Sequence, residues 1–264
     1  MDDCIGKAIP IALFCLLLCS GWNDFVSDLS CVMYTLDNFQ NGQILLVNKP
    51  LEWTSFQVVN KIHWLIRKQY DIKKIKVGHA GTLDPLATGL LLICTGKKTK
   101  QIQDLMGNDK TYTGTICLGA TTPSYDFETE VICKSDPSSL SEQKLKNATK
   151  LFLGHIQQKP PIFSAIKQKG KRLYEHARAG EQVNIKGREV IIHEFEITNI
   201  SLPDITFRIR CGKGTYIRSI ANDLGEALGV GGYLKSLCRT AIGNYNLADS
   251  ISIDTFERNL KASS

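Results

Sequence analysis

Residues 78–91 read GHAGTLDPLATGLL, and the interpretation of the whole chain starts from this stretch. It holds a single carboxylate, Asp84, among apolar residues and glycines. Pro85 disfavours helical geometry at Asp84 and pushes that residue toward an extended conformation. Gly78 and Gly81 allow another group to approach the backbone closely. The stretch therefore predicts either a turn whose Asp84 accepts backbone hydrogen bonds or a loop that presents Asp84 to a ligand.

The neighbouring residues exclude two common kinds of site. A P-loop requires G-x-x-x-x-G-K-[ST], but Leu91 stands where the first glycine should be and Lys98 where Ser or Thr should follow. A two-carboxylate glycosidase needs a second acid, and none lies near Asp84 in the sequence. The cysteines after residue 32 are far apart and form no C-x-x-C pair. The sequence therefore predicts neither a metal site nor a cofactor.

The rest of the chain mixes strands and helices without a regular βαβ period. Periodicity predicts strands at 43–48, 110–118, 190–200, 205–211 and 234–241. Helices are predicted after Thr54, where Gln57 completes a capping box, and at 171–179 and 215–228. Residues 90–94 fit a buried strand or a helix segment, and 154–170 read as a long connection. This order predicts an α+β fold with a mixed, largely antiparallel sheet flanked by helices.

Composition places the chain among ordinary globular proteins. It has 264 residues, of which 43% are hydrophobic and 22% charged, which excludes the disordered, collagen-like and small disulfide-scaffold classes. No apolar run reaches the roughly 18 residues of a membrane span. Residues 1–32 hold four acids and one lysine, so that residues 33–264 carry a net charge of +9 within the overall +6. A basic body of this kind favours a polyanionic partner.

The first 32 residues differ from the rest of the chain. Residues 8–19 form a short apolar run, but the start Met1-Asp2-Asp3 lacks the basic residues of a signal peptide and no A-x-A site follows. We interpret residues 1–32 as a doubtful extension and Met33 as the start of translation; the alternative is an export or anchoring signal. The separated cysteines of residues 33–264 favour buried thiols and a cytoplasmic location.

GHAGTLDPLATGLL resembles the catalytic loop of the TruB family of tRNA pseudouridine synthases, and five further segments occur in the order that this family has. They are ILLVNKP…TSFQVVNKI, KTYTGTICLG, KPPIFSAIKQKGKRLYEHARAG, CGKGTYIRSIANDLGEALG and GGYLKSLCRT. The resemblance runs from about residue 42 to 255. It implies a pseudouridine synthase-like sheet in a body at 33–264, with an RNA-gripping insertion at about 154–182 and no C-terminal domain of the PUA type.

The resemblance implies three catalytic residues. Asp84 matches the nucleophile that attacks the ribose carbon of a target uridine and releases the base, which then turns and rejoins through carbon. Arg218 matches the arginine that pairs with this carboxylate, and Tyr112 matches the tyrosine that stacks on the flipped base and accepts a proton. The assignment requires Asp84 to lie in a cleft within a side chain's length of Arg218. The alternatives are a solvent-facing Arg218 and a Tyr112 that only packs in the sheet.

Four more positions match substrate-binding positions of the family. His79 matches the histidine that enters the RNA loop, and Lys49 matches a basic residue near the cleft. Tyr216 and Leu237 match residues that line the pocket. The alternatives are a satisfied loop histidine, a solvated turn lysine and two ordinary core residues.

The implied substrate is the uridine conventionally numbered 55 in the T-arm loop of tRNA. Extruding that base costs a few kcal/mol, which backbone contacts must offset. The residues expected to supply them are Lys97, Lys98, Lys100, Lys167, Lys169, Lys171 and Arg172, each of which also fits a solvated face. The implied enzyme is a cytoplasmic monomer without cofactor, membrane contact or obligate protein partner. The alternatives are a tRNA-folding chaperone and a synthase with another RNA target.

The chain departs from the family pattern at two places. Glu52 stands where the family usually has glycine after Lys-Pro-x. Thr122-Pro123-Ser124, followed by Asp126, stands where Thr-Asp-Thr is frequent. These departures leave the shape of the two loops open.

Overall fold

The computed structural model describes residues 34–164, 166–168, 170–181 and 183–263. The residues interpreted as an extension lie outside these ranges. The strands are β1 (Ile44–Lys49), β2 (Val77–His79), β3 (Ala87–Thr95), β4 (Lys110–Leu118), β5 (Ala120–Thr121), β6 (Ile132–Cys133), β7 (Gly154–Gln158), β8 (Lys167–Gln168), β9 (Lys171–Arg172), β10 (Arg188–Ser201), β11 (Asp204–Cys211), β12 (Gly232–Ile242) and β13 (Tyr245–Asn246). The helices are α1 (Leu36–Asn41), α2 (Ser55–Gln69), α3 (Ile102–Gly107), α4 (Glu142–Lys150), α5 (Leu173–Arg178), α6 (Ile217–Leu228) and α7 (Ile253–Ala262).

Within these described ranges, nine strands form one sheet in the order β1-β3-β12-β4-β11-β10-β7, with β2 paired to β3 and β13 to β12. The pairs are antiparallel except β3 with β12, which run parallel. Two small hairpins, β5–β6 and β8–β9, stand apart from this sheet. The prediction of an α+β fold with a mixed, largely antiparallel sheet is confirmed. None of the helices in the described residues is long and apolar enough to cross a bilayer.

Strand β3 lies between β1 and β12 in the sheet and resolves the ambiguity at residues 90–94. Leu91 and Ile93 pack into the core formed with α2 and α7, whereas Leu90, Leu92 and Cys94 pack on the opposite face with Ile242. A strand that is buried on both faces has a continuous apolar sequence, and for that reason its periodicity alone could not exclude a helix.

The predicted connection at 154–170 is partly wrong. Its first residues form β7, which pairs with β10 along Gly154–Gln158. This edge strand is mostly exposed and its sequence, GHIQQ, has little apolar alternation. The predicted helix at 171–179 is shorter than expected, since Lys171 and Arg172 belong to the β8–β9 hairpin. Both errors fall where polar, exposed residues take their structure from a neighbouring strand.

Helix α6 packs closely on the sheet, which fixes the residues of its first turn. A Cβ atom on Gly225 would lie 2.0 Å from the backbone nitrogen of Gly232 in β12, so that only glycine permits this approach. The helix ends at Gly229 in the left-handed conformation, with φ of 79°.

Glu52 is one of the two departures from the family pattern, and its backbone conformation is unusual. Its φ is +65°, a left-handed conformation that glycine adopts without strain. In this conformation its N–H donates to the carbonyl of Pro85, next to Asp84, at 2.9 Å. A non-glycine residue thus occupies a turn position whose backbone geometry favours glycine.

Replacing Glu52 with glycine should therefore stabilise the protein. We expect Glu52→Gly to raise the free energy of unfolding by about 0.5–1 kcal/mol, because relief of left-handed strain exceeds the added chain entropy of glycine. Urea denaturation measures the change. Glu52→Ala is the matched control, since alanine retains the strain. A Glu52→Gly variant no more stable than Glu52→Ala would contradict this account.

Candidate active site

The loop between β2 and β3 carries Asp84 and is fixed on both sides of it. The Ser55 hydroxyl accepts a hydrogen bond from the Leu83 N–H at 2.9 Å and donates to the Leu83 carbonyl at 3.1 Å. The Glu52 N–H holds the Pro85 carbonyl on the other side. Among the described residues, no backbone N–H donates to the Asp84 carboxylate, which pairs with a side chain instead. The alternative prediction, a turn whose Asp84 accepts backbone hydrogen bonds, is therefore wrong.

Arg218, in the first turn of α6, supplies that side chain. Its Nε lies 2.9 Å from Asp84 Oδ2, although the N–H is not aligned as a hydrogen bond, so the contact is an ion pair. Its terminal nitrogens donate to the carbonyls of Ser124 (3.1 Å) and Phe163 (2.9 Å). The carboxylate of Asp126 lies 3.4 Å from Nη1. These acceptors fix the plane of the guanidinium and, through it, the position of the Asp84 carboxylate.

The two partners differ in exposure. The Arg218 side chain is 4% exposed and the Asp84 side chain 38%. Asp84 opens into a cavity of about 300 Å³, which Tyr112, Tyr216 and Leu237 also line. The structure therefore brings together all three residues predicted to be catalytic and two of the four predicted to bind substrate. The requirement that Asp84 lie in a cleft beside Arg218 is met.

Tyr112 projects from β4 and both packs and lines the cavity. It is 8% exposed and belongs to the main apolar cluster. Burial raises the pKa of its phenol, an effect that the nearby Arg239 guanidinium opposes. The phenol is therefore protonated at neutral pH and available at the wall of the cavity. Tyr112 therefore both packs in the core and lines the cavity, and its role toward a base stays a prediction.

Lys49 is fully buried at the end of β1, next to the Asp84 loop. Its Nζ donates to the carbonyls of Pro50 (2.8 Å), Trp53 (2.6 Å) and Pro85 (3.3 Å). Burial lowers the pKa of its ammonium group to about 8, against the attraction of the Asp84 carboxylate. The group is mostly charged at pH 7, and Lys49 is not a solvated turn lysine.

Tyr216 and Leu237 form part of the cavity wall. Tyr216 precedes α6, and a buried amide fixes its backbone: Gln158 accepts from the Tyr216 N–H (2.8 Å) and donates to its carbonyl (3.0 Å). The Arg188 guanidinium lies 4.7 Å from the centre of the Tyr216 ring. Leu237 is half-buried in β12 and also packs against the main core.

His79 lies on β2, just before the loop, and is not among the residues that line the cavity. Burial and the Arg239 charge lower the pKa of its imidazole. The side chain is therefore neutral at pH 7, which suits contact with a base better than contact with a phosphate.

The sequence analysis did not predict four charged residues of the site. Asp126 and Arg239 are buried beside Arg218 and the loop, and Lys110 and Arg188 line the cavity. Arg239 had a usable signal, because it lies two residues from Leu237 in a strand and so on the same face. Asp126 had only a weak signal, since it follows the segment where the family often has Thr-Asp-Thr, and only the folded chain places it against Arg218.

A basic groove of about 760 Å³ lies between the segments that precede β2 and follow β3. Five lysines line it: Lys73, Lys74, Lys76, Lys97 and Lys100. Of the predicted RNA contacts, Lys97 and Lys100 line this groove, whereas the Lys98 side chain packs beside Gly42. The lysines at 73–76 were not predicted.

The β8–β9 hairpin carries the other predicted RNA contacts. Lys167, Lys171 and Arg172 are exposed, and Lys167 lies directly across from Arg172. Lys169 lies outside the described residues. Like charges paired directly across a hairpin repel each other, and an anionic ligand removes that repulsion.

Family models match most of the chain. The model of the TruB family pseudouridylate synthase N-terminal domain matches residues 67–217, and that of the tRNA pseudouridylate synthase B C-terminal domain matches residues 218–263. Among curated proteins, the tRNA pseudouridine synthase B of Flavobacterium johnsoniae is 56% identical over 228 residues, which cover 86% of this chain and 100% of the relative. That of Chloroherpeton thalassium is 52% identical over 84% of this chain and 92% of the relative.

Solved structures agree with the fold. A Cbf5–Nop10–Gar1 complex contains a chain that matches with a TM-score of 0.61 and 27% identity, over 85% of this chain and 60% of that one. An H/ACA RNP bound to a substrate RNA containing 2′-deoxyuridine matches with a TM-score of 0.60 and 27% identity, over 83% of this chain and 53% of that one. This chain thus spans only half to three fifths of those chains.

The buried contact of Asp126 with Arg218 predicts a large loss of stability when the carboxylate is removed. We expect Asp126→Asn to lower the free energy of unfolding by about 3 kcal/mol, because the buried guanidinium loses one of its two anionic partners. Urea denaturation measures this loss. Glu130→Gln, an exposed change in the same loop, should leave stability within about 0.5 kcal/mol of the parent. Equal stabilities of the two variants would contradict the assignment.

Proposed function

The chain belongs to the TruB family of pseudouridylate synthases, and we propose that it converts uridine 55 in the T-arm loop of tRNA to pseudouridine with Asp84 as the nucleophile. The observation that carries the proposal is the partly exposed Asp84 carboxylate, 2.9 Å from the buried Arg218 and open to a cavity walled by Tyr112, Tyr216 and Leu237. The high identity to proteins named tRNA pseudouridine synthase B over nearly their whole length supports tRNA as the substrate.

In the proposed reaction, an Asp84 oxygen attacks C1′ of the target ribose while the C1′–N1 bond breaks, and uracil leaves with the electron pair. The uracil turns within the cavity and its C5 forms a new bond to C1′, which releases the Asp84 carboxylate. C5 then loses its proton and N1 gains one, which leaves the atoms of the nucleoside unchanged in number. Splitting the exchange into two substitutions is the advantage of a covalent nucleophile.

The surrounding side chains support this sequence. Arg218 orients the Asp84 carboxylate through the ion pair between them. Tyr112 and Leu237 provide surfaces against which a flipped base would stack. The Tyr112 hydroxyl is placed to relay the C5 proton, passing its own proton to the solvent in the cavity as it takes up the proton from C5. His79, outside the cavity wall, would contact the RNA around the extruded nucleotide.

The basic surfaces supply the phosphate contacts that extrusion of a base requires. We propose that the groove lysines and the insertion at about 154–182, with its β8–β9 hairpin, hold the RNA backbone. We propose that residues 33–264 act as a monomer in the cytoplasm, where tRNA is processed.

Replacing the nucleophile should abolish the reaction and spare binding. We expect Asp84→Asn to lower the single-turnover rate of pseudouridine formation in a tRNA transcript at least about 10³-fold, because the amide cannot attack C1′. Nucleoside chromatography of digested tRNA measures the rate, and filter binding measures the Kd, which should change little. Asp104→Asn, an exposed change, is the control.

The outcome of that experiment also separates the rival functions. Conversion that survives Asp84→Asn would exclude Asp84 as the nucleophile. Mapping the modified position separates uridine 55 from any other target: pseudouridine elsewhere in the transcript would contradict the T-arm assignment. A wild-type protein that binds and refolds tRNA without making pseudouridine would support the chaperone function instead.

Binding by the groove should depend on salt. We expect Lys74→Ala and Lys100→Ala each to weaken tRNA binding and to reduce the slope of log Kd against log salt by about 0.7–0.9, because each removes one phosphate contact. Their single-turnover rates at saturating tRNA should match the parent. Lys144→Ala, on the exposed face of α4, is the matched control. An unchanged salt slope in both groove variants would remove this surface from the proposal.

A further inference from the structure

Arg239 in β12 is 1% exposed and is the largest fully buried side chain among the described residues. Its Nε donates to the carbonyl of Leu90 at 2.8 Å. Its terminal nitrogens donate to the carbonyls of Gly81 at 3.0 Å and Thr82 at 3.4 Å. The guanidinium therefore holds the backbone of the loop before Asp84 and the backbone of β3 after it.

Within the described residues, Arg239 forms no ion pair with a carboxylate, in contrast to Arg218. Its charge instead acts on neighbouring cations, and it contributes to the lowered pKa values of the Lys49 and Lys110 ammonium groups. A buried guanidinium without a paired anion is costly, and arginine cannot lose its proton to avoid that cost. A neutral apolar side chain would fill the same space more cheaply, so that stability alone does not account for an arginine here.

Arg239 also reaches the other side of the cavity. It lies directly across from Tyr112 in the β4–β12 pair, and its positive charge opposes the rise that burial causes in the pKa of the Tyr112 phenol. A positive charge beside the phenol favours a hydroxyl whose O–H points away from the guanidinium. Both side chains line the cavity into which Asp84 opens.

The backbone of β12 is pressed against β3 at the same place. A Cβ on Gly89 would lie 2.4 Å from the Arg239 carbonyl oxygen, and Gly89 has a φ of +103°. The start of β3 and Arg239 are thus in direct backbone contact, so that a shift of one moves the other. Arg239 is joined to the loop through its side chain and through its backbone.

We propose that Arg239 is a positioning residue for the reaction. Its guanidinium fixes the backbone around Asp84 and orients the Tyr112 hydroxyl, so that the carboxylate and the phenol both face the same target nucleoside. The inference rests on the proposed function. Lysine cannot replace arginine in this role, because a single ammonium group cannot donate to the same three carbonyls in the geometry of a planar fork.

The test compares Arg239→Lys with the wild-type protein in single turnovers at saturating tRNA. We expect the rate of pseudouridine formation to fall about 10–100-fold, as for a modest misplacement of reacting groups, while the Kd for tRNA stays within about twofold. Arg208→Lys, in the partly exposed ion pair of β11 with Glu194, is the matched control and should keep the wild-type rate.

A double-mutant cycle separates positioning from loss of folding. Rates are expressed per folded molecule, from near-UV circular dichroism at the assay temperature, and Arg239→Gln serves as the second variant if the lysine variant is not folded. We expect the losses in Tyr112→Phe and Arg239→Lys to be less than multiplicative when combined, because both changes disturb the same hydroxyl.

Two results would overturn the inference: a wild-type single-turnover rate in the folded Arg239→Lys protein, or a loss confined to Kd. Fully multiplicative losses in the cycle would show that Arg239 does not act through the Tyr112 hydroxyl. A wild-type protein that forms no pseudouridine would instead refute the proposed function, which keeps the two failures distinct.

Discussion

The Arg218 guanidinium lies between two carboxylates and two backbone carbonyls, with 4% of its side chain exposed. An isolated charge at this depth would cost several kcal/mol, and its partners offset that cost only together. They come from the loop after β5, the start of the insertion and the loop before β3. One buried charge therefore joins three distant parts of the chain. Of its partners, only Asp84 remains accessible, and the contact that holds the fold together also orients the reactive group.

Two more buried cations lie beside the same loop, and their partners differ from those of Arg218. Lys49 and Arg239 are satisfied by backbone carbonyls, not by carboxylates. The loop is therefore held by its own peptide groups, and its one carboxylate is not consumed by either cation. This arrangement surrounds Asp84 with positive charge. That charge favours the approach of a polyanionic substrate.

The basic groove and the cavity carry different side chains. The residues that line the five-lysine groove include no Phe, Tyr or Trp, whereas the cavity combines Tyr112 and Tyr216 with four basic side chains. The β8–β9 hairpin is also basic, and its Arg172 lies 5.9 Å from the centre of the Tyr174 ring. Charge suits contact with a phosphate backbone, and aromatic rings suit stacking of a flipped base, as the proposed function requires.

The amino-acid sequence by itself determined the local features. Residues 110–118 alternate and form β4 with the predicted bounds, Thr54 and Gln57 form the predicted capping box, and the stretch around Asp84 forms a loop that presents its carboxylate. These outcomes depend on neighbours a few residues away, whose spacing can be read directly. The similarity of the motifs also indicated which side chains share a site.

Only the tertiary structure decided the contacts between residues that are far apart in sequence. It placed Asp126 against Arg218, turned GHIQQ into an edge strand, and gathered the lysines at 73–76 beside Lys97. Arg239 stands 155 positions after Asp84, and its partners became known only once β12 was seen parallel to β3. Burial, and with it the energetic meaning of a charge, is a property of the packed chain, because a sequence lists charges without saying which of them water will reach.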